Sequence, residues 1–160
     1  MIRVIITCFA VISVAAACET STDNLIGIPG GGGGGAVTQA EADGAWSFTL
    51  TQTTTLACTG GALANGSVIT VTLDLQTDGT ATTASSWRSP SSGALLPLSG
   101  TVRFADGITD LLLASGGSAM ELRGTIAANG TFSGTITDPA AGFTPVYGTG
   151  CEYNAPGIKS

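Results

Sequence analysis

The chain contains no histidine, and Lys+Arg total only 5 in 160 residues. Without an imidazole, neither a Ser-His-Asp nor a Cys-His catalytic unit can be built, nor a His-ligated zinc site. Asp+Glu total 11, so the formal net charge is -6 and the isoelectric point lies near 4.1. A general nucleic-acid binder needs a basic face, and this chain has none to offer. Charged residues of both signs make up only 10%. Beyond the N-terminus no apolar run is long enough to span a bilayer, and beyond residue 43 no helical period is sustained. What is abundant is glycine, 24 residues, and apolar residues at 43%. That apolar share argues against disorder over the whole length, and the length suits about one domain.

The first eighteen residues read MIRVIITCFAVISVAAAC. Arg3 is a short positive region, Val4 to Val14 an apolar stretch, and Ala15, Ala16 and Ala17 a small-residue site. This is the anatomy of a secretory signal peptide over residues 1–17. The stretch is too short for a spanning helix, and it lacks the polar face and cap of a core helix. The three alanines satisfy the rule for an ordinary signal peptidase. Followed by Cys18, they also resemble a bacterial lipobox, with Ala15 where leucine is commonest. That resemblance implies cleavage before Cys18, diacylglyceryl attachment to its sulfur, and N-acylation. Two or more acyl chains anchor firmly, at about 0.8 kcal/mol per buried CH₂.

Cysteine counting bears on the choice. Cys8 lies in the expected leader, leaving Cys18, Cys58 and Cys151, an odd number for an exported protein. Lipidation of Cys18 removes the odd one, and Cys58 and Cys151 can then pair. Two inert buried thiols are the other reading of that pair.

From Glu19 to Asp43 nothing is periodic, and Gly30 to Gly35 is an unbroken glycine run. No Lys-Ser/Thr follows it, so it does not read as a phosphate-binding loop. Residues 18–43 are expected to form a lipidated, Gly-rich flexible tether. A coil of this length spans roughly 25–30 Å root-mean-square.

Residues 44–160 change character. Thr, Val, Leu and Ile alternate, punctuated by Asn65-Gly66, Asp78-Gly79, Asp106-Gly107, Gly116-Gly117 and Asn129-Gly130. These are hairpin signals at short spacing. They predict an all-β fold: an antiparallel up-and-down meander of about eight strands, forming a closed or nearly closed barrel. The strands are expected near 44–57, 67–76, 80–88, 98–105, 108–115, 118–127, 131–138 and 145–153.

Registers follow from keeping apolar residues on one face. A three-residue bulged loop at 128–130 pairs Ile126 with Phe132 and Leu122 with Ile136. The same logic at Asp78-Gly79 pairs Leu75 with Ala81 and Ile69 with Trp87. A two-residue loop at Gly116-Gly117 pairs Leu111 with Leu122 and Leu113 with Met120. One at Asp106-Gly107 pairs Val102 with Leu111 and Arg103 with Asp110. Asp110 then stands between Arg103 and Arg123 on the outer face, and such a charged exterior argues against a transmembrane barrel.

The inward set is expected to include Trp46, Phe48, Leu50, Ile69, Val71, Leu73, Trp87, Val102, Phe104, Leu111, Leu113, Leu122, Ile126, Phe132, Ile136 and Tyr147. Gly100, Gly124 and Gly134 fall on the same face, either to let strands coil or to leave room for a ligand or Trp46. In a closed meander the first and last strands are neighbours, so a Cys58–Cys151 bridge would staple the seam. An oxidising export compartment permits it.

Gly44-Ala45-Trp46 at the first strand is similar to the G-x-W of lipocalins and other calycin barrels, in which the Trp plugs one end. Those families also carry a Thr-Asp-Tyr motif and a last-strand Arg on the Trp, which are absent here, so carrier function is not implied. The whole layout resembles the small lipoproteins of bacteria.

The resulting expectation is a non-enzymatic, membrane-anchored envelope module that binds a small apolar ligand or a protein partner. Trp46, Trp87, Phe104 and Leu95 would form the ligand-facing mouth. A structural lipoprotein with a filled core is the alternative. No metal, cofactor or catalytic residue is expected: the aspartates are scattered, mostly in turns where Asp bonds its own backbone.

Overall fold

The computed structural model describes residues 35–53, 58–139 and 142–160. The expected signal peptide, Cys18 and most of the expected tether lie outside these residues. The described chain forms a short helix, α1 (Gln39–Ala42), and eleven strands. They are β1 (Gly44–Thr49), β2 (Thr51–Gln52), β3 (Val68–Leu73), β4 (Ser86–Arg88), β5 (Leu95–Arg103) and β6 (Ile108–Ser115). After these come β7 (Ser118–Ile126), β8 (Thr131–Thr137), β9 (Thr144–Pro145), β10 (Tyr153–Asn154) and β11 (Gly157–Lys159). Strands β1, β3, β4, β5, β6, β7 and β8 follow one another around the wall. The C-terminal pair completes the circle, since β11 bonds both β8 and β1 while β10 bonds β8 and β2. The result is a closed antiparallel eight-stranded barrel with three further short strands. Closure leaves no long free edge, which removes the hazard of edge-to-edge association.

Face segregation sets the hairpins. Ile126 pairs Phe132 and Leu122 pairs Ile136 across a loop whose Gly130 has φ +76°, the expected bulged turn. Leu111–Leu122 and Leu113–Met120 also pair as expected. Two registers differ from expectation by two residues, so the faces are kept and the partners change. Leu75 opposes Ala81, but Trp87 opposes Val71 rather than Ile69. A tight turn over Thr82–Ser85 adds the extra residues, and the buried Ser85 hydroxyl bonds both backbone groups of Asp74 at 2.9 Å. At the β5–β6 turn, Arg103 opposes Ile108 and Val102 opposes Thr109. The loop there is four residues long because Asp106 folds back to chelate the Arg103 guanidinium. Asp110 therefore meets Arg123, at 3.4 Å, but not Arg103.

The packed structure reaches further back than Gly44, and the closing strand lies later than expected. Thr38 caps α1 reciprocally with Glu41, and Val37 and Ala42 are buried in the core. Val37 N–H donates to the Phe104 carbonyl at 2.8 Å, and Leu75 N–H to the Asp43 carboxylate at 2.8 Å. Lys159, opposite Trp46 on β11, donates its ammonium to the carbonyls of Ala40 and Glu41 at 2.6 and 3.1 Å. This helical cap covers one end of the barrel. The closing strand lies at β10–β11, later than the expected 145–153. Pro156 interrupts it, and its carbonyl accepts from Thr49 N–H at 3.0 Å.

The core is the barrel interior. Fourteen of the sixteen expected inward residues are buried; Phe104 and Tyr147 are only half-buried. Sequence patterning missed Leu98, Tyr153 and Ala155, which are buried too. The three inward glycines make room for the protein itself. Gly124 and Gly134 pair directly beneath the Phe132 ring, and Gly100 has φ +132° against the β6 backbone.

Candidate functional site

The end opposite the helical cap is built from loops, and it holds the disulfide. Cys58 and Cys151 are bonded, with Cα atoms 4.5 Å apart and a sequence separation of 93. The bridge joins the loop after β2 to the segment before β10, which are seam neighbours. Beside it the buried Tyr153 hydroxyl accepts from Leu63 N–H at 2.9 Å. Thr59 and Thr149 exchange backbone bonds at 3.2 and 3.0 Å. Across the mouth, Tyr147 Oη and the buried Ser89 Oγ are 3.0 Å apart, and Ser89 also meets Ser91 at 3.0 Å. A shallow cleft lined by Met120, Ile136, Tyr147 and Tyr153, among others, encloses about 10 Å³. That is about the space of one water molecule.

The four residues expected at a ligand mouth are not gathered there. Trp46 and Trp87 share one inward row through Val71, and both are 0% exposed. Each indole is committed: Trp46 Nε1–H donates to the Ala42 carbonyl at 2.8 Å, Trp87 Nε1–H to the Ala114 carbonyl at 2.9 Å. Trp46 sits under the helical cap, and Trp87 nearer the loops. Phe104 lies in the β5–β6 turn at the cap end. Leu95 points outward, 62% exposed, on the opposite face from Leu96, which pairs with Trp87. Between the tryptophans and β8 the space is taken by Phe48 and Phe132, packed edge to face with centroids 5.1 Å apart. Tyr147 was expected to face inward, whereas Ser89 and Tyr153 were not placed there by sequence. Tyr153 did carry a signal, the alternation of Cys151, Tyr153, Ala155 and Gly157.

The ionised groups serve turns and the outer wall. Arg123 bridges Glu121 at 2.9 Å and Asp110 at 3.4 Å. Backbone and hydroxyl donors on Thr38 hold the Glu41 carboxyl below its ordinary value. The Thr80 N–H does the same for Asp78, and the Arg103 guanidinium for Asp106. All three sit at the surface. Among the described residues no three Cys, Asp or Glu side chains stand together as a metal site.

Comparison with protein-family models, with characterised proteins and with solved structures gives no match.

Proposed function

We propose that this chain is a lipid-anchored protein of a bacterial envelope, and that its barrel is a non-enzymatic scaffold working through its outer surface and loops. The observation that carries the second half is the occupied interior. Both indoles, Phe48 and Phe132 are buried inside the barrel, and both indole N–H groups donate to the chain's own carbonyls. An internal carrier typically needs a few hundred Å³ of enclosed apolar space. The anchor half is supported by the lipobox-like residues 15–18 and by the disulfide, which leaves Cys18 as the odd cysteine once a leader is removed. The scattered, turn-bound carboxylates support a non-catalytic role.

Two measurements test it. Intact mass of the protein extracted from membranes should show a triacylated Cys18, lost in Cys18→Ser, which should become soluble. An unmodified Cys18 in the exported chain overturns the anchor. Native mass spectrometry of the same preparation should show no molecule bound beyond its covalent lipid. A stoichiometric apolar molecule would overturn the filled scaffold and restore the carrier.

A further inference from the structure

Residues 142–151 form a strap over the loop end. Its one regular element is β9. Thr144 and Val146 donate to the Gly117 and Ala119 carbonyls at 3.3 and 3.2 Å, and Gly150 N–H to the Asp138 carboxylate at 2.6 Å. Ser118–Thr144 and Ser89–Tyr147 hydroxyl pairs and the Thr59–Thr149 exchange also hold it. The strap's Val146 and Tyr147 help line the apolar cleft with Met120 and Ile136, which are 4% and 2% exposed. The covalent tie is the bond from Cys151 to Cys58. None of the strand pairs that close the barrel passes through the strap: closure runs β8–β11–β1 and β8–β10–β2. The disulfide fastens the strap to the loop after β2, beyond the Thr53–Glu152 bond at the end of the β2–β10 pair.

We propose that Cys58–Cys151 is a redox-operated latch, opened by a dithiol reductant to release the strap and uncover the apolar mouth around Met120 and Ile136. Cys58 is half-buried and Cys151 buried, so attack falls on the Cys58 sulfur. One thiolate of the reductant bonds to Cys58 Sγ, the Sγ–Sγ bond breaks, and Cys151 leaves as a thiolate. The second thiolate displaces Cys58, and the reductant departs as a disulfide, having delivered two electrons; solvent protonates the thiolates. This inference stands whether or not Cys18 carries lipid.

The test is amide hydrogen exchange on the full chain in detergent, oxidised and after dithiothreitol. Exchange over 142–151 should rise at least about tenfold on reduction, while β6–β8 amides stay protected and Trp46 and Trp87 emission stays that of buried indoles. Anilinonaphthalene sulfonate fluorescence should rise with it. The Cys58→Ser/Cys151→Ser chain should show the released strap with or without reductant; if that chain does not fold, reduced wild type alone decides. Three results overturn the latch: a bond that dithiothreitol leaves intact in the folded protein, a strap that keeps its protection after reduction, or a barrel that unfolds together with the strap, seen as solvent-exposed emission from Trp46 and Trp87.

Discussion

Replacing Gly124 by alanine puts the filled interior to a direct test. Gly124 and Gly134 face each other on β7 and β8, and the Phe132 ring lies over both. A methyl group at Gly124 would stand 2.2 Å from the Ser133 carbonyl oxygen, 2.5 Å from Phe132 Cζ and 2.6 Å from Gly134 Cα. The ring is pinned by its edge contact with Phe48 and is 4% exposed, so its escape is limited. The other two atoms are backbone in a bonded ladder and cannot retreat without breaking it. Overpacking a core costs about 1–3 kcal/mol, and backbone contacts place this site at the top, about 3 kcal/mol. For a domain of this size that lowers Tm by roughly 10 °C. Guanidinium unfolding, followed by the emission of Trp46 and Trp87, measures it. Phe132→Leu removes the ring contact and leaves the carbonyl contact, so the same change in that background should cost about 1 kcal/mol less. A Gly124→Ala protein within about 0.5 kcal/mol of wild type would refute the reasoning, because the glycine would then be keeping open space for something else.

Three further outcomes are expected. Removing the Cys58–Cys151 bond releases a loop of 93 residues, which the chain-entropy model values at roughly 4.6 kcal/mol; the unfolding free energy from urea titration should fall by up to that amount on reduction. Lys159→Met strips the ammonium from the Ala40 and Glu41 carbonyls and should lower stability by about 1–2 kcal/mol, read by thermal melting, with faster proteolysis ahead of Gly44. Glu41, Asp78 and Asp106 have folded-state pKa values below their unfolded ones, so their stabilisation is complete above the ordinary carboxylate range and is lost as pH falls through the depressed values. Tm should stay level from neutral pH to about pH 5 and drop below about pH 4, and Asp106→Asn should flatten part of that drop.

The wall of the barrel was legible because its information is local. Alternation in β3, β6, β7 and β8 specifies which side chains face inward, and a wrong register by one residue would turn every one of them outward. Asn129-Gly130 and Gly116-Gly117 specify their turns by the same local chemistry, and the cysteine pair follows from the strand count. The two-residue slips at Trp87 and Val102 were invisible for the complementary reason. A shift by two keeps every residue on its face, so only the Thr82–Ser85 turn and the Arg103–Asp106 chelate, each a tertiary choice between turn geometries, could select the partner. The helical cap at 38–43 was hidden because four helical residues have no period. It forms where the barrel end offers Phe104, Leu75, Trp46 and Lys159 as partners, none near it in sequence except Trp46. The closing strand was masked by Pro156 and Gly157, which read as breakers until β1 and β8 stand on either side to use them. Sequence alone therefore determined a β meander in which Cys58 and Cys151 can pair, since these rest on composition, period and counting. Whether its interior is open or full was decided only in three dimensions, because the size of a hole depends on where Phe48, Phe132 and two indoles meet across a closed wall.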